Sequence, residues 1–146
     1  MKQILLGLFI LLTGCSTNTH LSVQTLYFTR ESLASYYVET PDPMLINPPV
    51  GQKLLVTWSL PKSYLDYADL HLNIRIRFRN REEIELNIPI EKRYSSYMFE
   101  ICNDRFFETK GILTYKVDLI GGGLLLEEWR HQLWHELIHV GEGALP

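Results

Sequence analysis

The chain is short of cysteine, of long apolar runs and of excess positive charge, and each shortage excludes something. Its 2 cysteines, Cys15 and Cys102, are too few for a cysteine-based zinc site. The apolar run at its start, Ile4 to Leu12, is well below the roughly 20 residues that a membrane-spanning helix needs. Lys and Arg number 14 against 17 Asp and Glu, a net charge of -3, which argues against a general nucleic-acid binder with its basic excess. There is no internal repeat, no phosphate loop, no Ser-His-Asp arrangement and no acid pair with a recognisable local signature.

What is present begins with a leader. Met1-Lys2-Gln3 is a short basic start, and the apolar run after it has the length of a signal-peptide core. Leu12-Thr13-Gly14-Cys15 follows at once and resembles the bacterial lipobox. Small residues before the cut let the chain enter a peptidase cleft, and the Cys15 thiol is the nucleophile for lipid attachment. The expectation is a signal peptide over 1–14, a lipidated tether over 15–20 and a single β-sandwich domain over 21–146. A lipobox cysteine implies several acyl chains, which anchor stably where one does not. Ser16 after it, rather than Asp, favours the outer membrane of a Gram-negative host. With Cys15 assigned to lipid, Cys102 has no partner for an internal disulfide and is expected to pack as a small apolar residue.

Along the mature chain, Leu21–Thr29 and Leu33–Val38 are two β-prone runs. Thr40 to Gly51 carries Pro41, Pro43, Pro48 and Pro49 and is expected to be an extended connection, neither strand nor helix. Leu54, Val56, Trp58 and Leu60 then alternate with polar residues until Pro61. Leu70, Leu72, Ile74, Ile76 and Phe78 alternate with His71, Asn73, Arg75, Arg77 and Arg79, and Ile84, Leu86, Ile88 and Ile90 repeat the pattern. Period two puts each apolar set on one side of a pleated strand. Tyr97, Phe99 and Ile101 form a further run, as do Leu113, Tyr115, Val117 and Leu119, and Gly121-Gly122-Gly123 is a turn. Six or seven short strands with regular turns predict an all-β, immunoglobulin/fibronectin-like sandwich. Trp58 and Tyr115 are its natural core aromatics.

Two features invite a chemical reading. Arg75, Arg77, Arg79 and Arg81 form a stripe that could bind an anion. If Arg79 faces Glu83 and Arg77 faces Glu85, opposite charges meet on the solvent side and the stripe is structural. The second feature, His135-Glu136-Leu137-Ile138-His139, reads H-E-x-x-H. On a helix both imidazoles could bind zinc, and the glutamate could activate the metal-bound water. Room for the downstream third ligand that zincins and metzincins supply is not expected, although His71 or His20 could supply one. On a strand, residues four apart are about 13 Å apart, too far to share a metal. Strand is the preferred reading of Leu124–Val140, with a β-bulge between Leu126 and Trp129. Helix remains open, because Leu, Glu, Gln and Arg are all good helix formers. One of Trp129 and Trp134 is expected to be buried and the other partly exposed.

Tyr37-Val38-Glu39-Thr40-Pro41-Asp42-Pro43, Asn47-Pro48-Pro49-Val50-Gly51-Gln52 and Glu128-Trp129-Arg130-His131-Gln132-Leu133-Trp134 resemble a family of small chlamydial lipoproteins. The resemblance implies the lipid anchor and a structural role for the terminal segment. It implies no cofactor and no catalytic residue. The expectation is a non-enzymatic envelope lipoprotein with a protein partner in the envelope, membrane contact through its lipid, and no nucleic acid. A zinc hydrolase on the His135–His139 segment is the alternative. A carbohydrate or other ligand binder using Tyr64, Tyr67, Tyr94 and Trp134 is a third.

Overall fold

The structure, a computed structural model, describes residues 19–136. Cys15 and its leader, and His139 with the rest of the terminal segment, lie outside the described residues. Among the described residues, seven strands form two antiparallel sheets. The smaller has the order β1-β2-β5, from β1 (Leu21–Phe28), β2 (Gly51–Ser59) and β5 (Tyr94–Cys102). The larger has the order β4-β3-β6-β7, from β3 (His71–Phe78), β4 (Glu83–Pro89), β6 (Ile112–Gly121) and β7 (Leu124–Arg130). This is the all-β, immunoglobulin/fibronectin-like sandwich that the alternation predicts.

The core is built from alternate residues of facing strands. Leu72, Ile74, Ile76 and Phe78 of β3 are at most 1% exposed. They pack with Leu21 and Val23 of β1, Leu54, Val56 and Trp58 of β2, Ile101 of β5, and Tyr115, Val117 and Leu119 of β6. Trp58 is buried without a polar penalty, because its indole N–H donates to the Lys92 carbonyl at 2.9 Å. Gly122 and Gly123 take φ of 59° and 74° in the β6–β7 hairpin, as the triple glycine requires.

Four sequence expectations are corrected. Leu33–Val38 is not a strand but ends in helix α1 (Ala34–Val38), after a 3-10 turn at Arg30–Ser32. Phe28 of β1 pairs with Gly51, the first residue of β2, so the chain beyond it has no neighbour to bond and satisfies its backbone locally. The proline-rich connection contains helix α2 (Pro43–Ile46), because the Asp42 carboxylate accepts from the Met44 N–H at 2.8 Å and Pro43 suits the first helical position. The β3–β4 register is offset by two, with Glu83 opposite Arg77 and Glu85 opposite Arg75. Arg79 is in the turn, closed by the Phe78 N–H donating to the Glu82 carbonyl at 2.9 Å. An offset of two keeps parity, so charges still meet charges on the outside. Leu113, expected inside, is 42% exposed. A bulge pairs Arg77 with Thr114 and Phe78 with Ile112, and Ile112 takes the inward place.

The contested last segment is a strand over Leu124–Arg130. Glu127 pairs with Leu119 and Leu125 with Ile120, so Leu126 is the extra residue of a bulge. Helix α3 (Asp104–Thr109) joins β5 to β6. Two substitutions test the packing. Ile74→Ala should cost about 2–5 kcal/mol through the cavity it leaves. At Gly51 a Cβ would stand 2.1 Å from the Ile101 carbonyl oxygen and 2.7 Å from the Cys102 Cα. Gly51→Ala should therefore part β2 from β5 and cost about 1–3 kcal/mol, both losses being read from urea unfolding midpoints.

Candidate functional site

The H-E-x-x-H segment begins beyond β7, in irregular chain. Its Glu136 carboxylate is engaged by the sheet, not by a metal-like cluster. It accepts from the Trp134 indole N–H at 3.2 Å and lies 3.6 Å from Arg75 and 3.5 Å from Lys116. The His135 backbone carbonyl accepts from the Arg77 guanidinium. The two histidines considered as third ligands are at the other end of the sandwich. His71 Nδ1 is 2.6 Å from the Asp69 carbonyl, and His20 stands edge-on to Tyr64. Among the described residues, no group of three or more His, Cys, Asp or Glu side chains is gathered for a metal ion.

The segment instead lies over the outer face of the four-stranded sheet. Trp134 is only 5% exposed, yet it is outside the core. It lies against the arginine stripe, its ring centroid 3.9 Å from the Arg77 guanidinium carbon and 5.3 Å from that of Arg75. Trp129, half-buried, packs against the core from β7. One tryptophan is thus buried and one partly exposed, but the buried one is held by arginines. Thr114, Lys116 and Asp118, which alternation assigns to a solvated face, are buried beneath this cover.

A charge network fills the space. Lys116 Nζ is 2.9 Å from Glu128 and 3.1 Å from Asp118, Arg75 is 3.6 Å from Asp118, and Arg130 pairs with Glu128. Arg77 also bonds Glu83 at 2.6 Å. Asp118 Oδ1 is buried without a hydrogen-bond partner, although Oδ2 meets both cations. Burial works against the charge of Lys116, but its bonds to Glu128 and Asp118 outweigh this and hold its pKa above the ordinary value. Burial likewise opposes ionisation of Glu128, and Arg130 and Lys116 reverse that, holding it below the usual carboxyl range. Glu136 is lowered chiefly by the Trp134 indole N–H. Acidic partners thus occupy Arg75 and Arg77, the two members of the stripe that lie within β3, while Arg79 and Arg81 belong to the β3–β4 turn.

A different chemistry stands at the end of the sandwich where β1 meets β2. The arm over residues 29–50 places no residue in the buried class. Tyr37, Val38, Met44 and Ile46 are exposed, Ile46 to 89%. An open recess of about 620 Å³ is bounded by Arg30, Tyr36, Tyr37 and Pro41 among others. The arm is ordered by its own contacts. Ser35 donates to Asp42 at 2.6 Å, and that bond, with the Met44 N–H, lowers the Asp42 pKa. The rings named for a sugar-binding surface do not form one patch. Tyr64 and Tyr67 pack edge-on near His20, while Trp134 is held at the opposite end beyond β7.

By fold, the chain is in the class of immunoglobulin/fibronectin-like sandwiches. Comparison with known protein families, curated proteins and solved structures finds no match to it.

Arg77→Ala should free the Trp134 segment, losing about 1–2 kcal/mol of stability and moving the Trp134 indole resonance toward its solvent-exposed position. The pH dependence follows from the carboxyls. Glu128 and Glu136 have lowered pKa values in the folded state, so their contribution is full above the ordinary carboxyl range and is lost as pH falls through the lowered values. Lys116, raised, loses its contribution only as pH rises through its folded value in the alkaline range. The Trp134 resonance should therefore stay constant from pH 6 to pH 8 (roughly the neutral window) and shift in acid. A shift centred near neutrality would contradict this.

Proposed function

We propose that this protein is a bacterial envelope lipoprotein, anchored through acyl chains on Cys15, whose sandwich is a non-enzymatic module that binds a protein partner. The outer membrane is the favoured site in a Gram-negative host, on the strength of Ser16. The observation that carries the binding role is the arm. It has no residue in the buried class and leaves Tyr37, Val38, Met44 and Ile46 exposed, an apolar display of the kind that marks interaction surfaces. A partner surface that covers those side chains recovers the hydrophobic stabilisation that the fold leaves unused. The arm also stands at the far end of the strands from His20, through which the chain runs back to Cys15. A tethered module with its adhesive loop held away from its tether suits capture of another envelope protein.

The anchor and the arm are tested separately in the native host. Cys15→Ser should move the protein out of the membrane fraction, and the wild-type mature chain should have the mass of an acylated N-terminal cysteine. Persistence of the variant in membranes would overturn the anchor. A photo-crosslinking residue at position 46 should give one discrete adduct, lost when Tyr37 and Val38 are changed to serine. The same residue at position 100, on the exposed side of β5, should give none. Absence of an adduct from position 46, or equal adducts from both positions, would overturn the binding role.

A further inference from the structure

We propose that the end of the sandwich nearest the tether rests on the bilayer, with Leu65, Tyr67, Leu124 and Leu125 seated in its interfacial zone. This rests on the lipoprotein reading and adds an orientation to it. The tether's exit point is fixed, because the backbone N–H groups of His20 and Leu21 both donate to the Glu127 carboxylate, at 2.7 and 3.1 Å. Cys15 lies five residues before His20. A chain of that length spans at most about 18 Å even when fully extended. The strands themselves are longer, about 33 Å for a ten-residue strand such as β6. The tether is therefore too short to let the domain roam, and this end faces the membrane at close range.

What this end presents is apolar where a hairpin tip is ordinarily polar. Leu124 and Leu125, directly after the glycine turn, are 60% and 57% exposed, and Leu65 and Tyr67 are 38% and 39% exposed. The two loops that carry them meet, and Tyr64 joins them to His20. Tyr67 lies against the turn, 3.4 Å from where a Gly122 Cβ would stand, and the Gly122 N–H donates to the Ala68 carbonyl at 2.7 Å. Tyr64 bridges Tyr67 and His20 by edge-on ring contacts with centroids 6.2 and 5.8 Å apart. Charge here is balanced, with Lys62, Lys92 and Arg93 set against Asp66, Asp69 and Glu91. Attraction to anionic lipid is therefore not the source of binding. The fit is to the headgroup boundary of a neutral bilayer, where leucine side chains enter and tyrosine keeps its hydroxyl wet.

The test uses the full-length, lipidated protein reconstituted in phosphatidylcholine vesicles, with hydrogen exchange followed by mass spectrometry. Segments 61–69 and 121–126 should exchange roughly tenfold more slowly in the wild type than in Leu124→Ser/Leu125→Ser, while segment 29–50 exchanges alike in both. Leu65→Ser serves as a second variant in case the double variant is unstable, and Ile46→Ser, at the opposite end, should match the wild type. Equal exchange at 61–69 in the wild type and both patch variants, with acyl chains present on Cys15, would overturn the bilayer contact and leave the lipoprotein reading standing. A Cys15 without acyl chains in the same mass spectra would overturn the lipoprotein reading, and the contact with it.

Discussion

β3 is the strand on which the rest of the domain depends. It is paired on both edges, with β4 and with β6, so its backbone is committed along its length. Its inner residues, from Leu72 to Phe78, are the centre of the core. Its outer residues Arg75 and Arg77 hold the Trp134 segment against the sheet. A strand used on both faces tolerates little change of register, because a slip by one residue would send arginines into the core and leave isoleucines outside. Strict alternation over the whole of β3 is what prevents that slip.

The same alternation explains which parts of the fold were legible in the sequence. One-sided burial writes period two into β2, β3 and β4, and β6 alternates in residue type although both its faces are buried; the strand count, the sandwich class and the Trp58 and Tyr115 core positions follow from this alternation. Where burial is not one-sided, the sequence is mute or misleading. The β-prone residues 33–38 become helix because β1 has run out of partner, a fact set by the length of β2 and not by local propensity. Leu113 sits at a bulge that resets parity without a marker of its own, whereas the bulge at Leu126 is announced by the break in phase before Trp129. The offset in the β3–β4 pairing preserves parity and so is invisible to it. Cover on the outer face is the hardest to foresee. Lys116 and Asp118 look like solvated residues, and only the return of the chain over them makes them buried.

That cover brings a cost as well as a gain. Taking Lys116 and Asp118 out of water is unfavourable, and the mutual attraction of such buried pairs roughly offsets the penalty instead of exceeding it greatly. Asp118 Oδ1, left without a donor, adds to the cost. What the arrangement gives in return is position. Glu136 meets Arg75 and Lys116, Trp134 meets both arginines, and the His135 carbonyl meets Arg77, so the segment has one place to lie. The histidine of the H-E-x-x-H pattern that falls within the described residues is thereby fixed through its backbone, and the glutamate through its carboxylate. Both are used to close the sheet.

The two ends of the sandwich differ in chemistry because the chain enters at one and spends its longest connection at the other. β7 joins these demands. At its start, the exposed leucines follow the glycine turn; midway, Glu127 caps the backbone of His20 and Leu21 and ties the start of β1 to the larger sheet. At its far end the chain turns back and seals the outer face with Trp134. Glu127 stands opposite Leu119 and Trp129 opposite Val117, both core positions, so the cap on β1 and the tryptophan share the inner side by ordinary alternation. The bulge at Leu126 adds a third residue to that side. A regular strand there would turn Leu126 away from the core, and the extra residue lets it pack inward beside Trp129 although the two differ in parity.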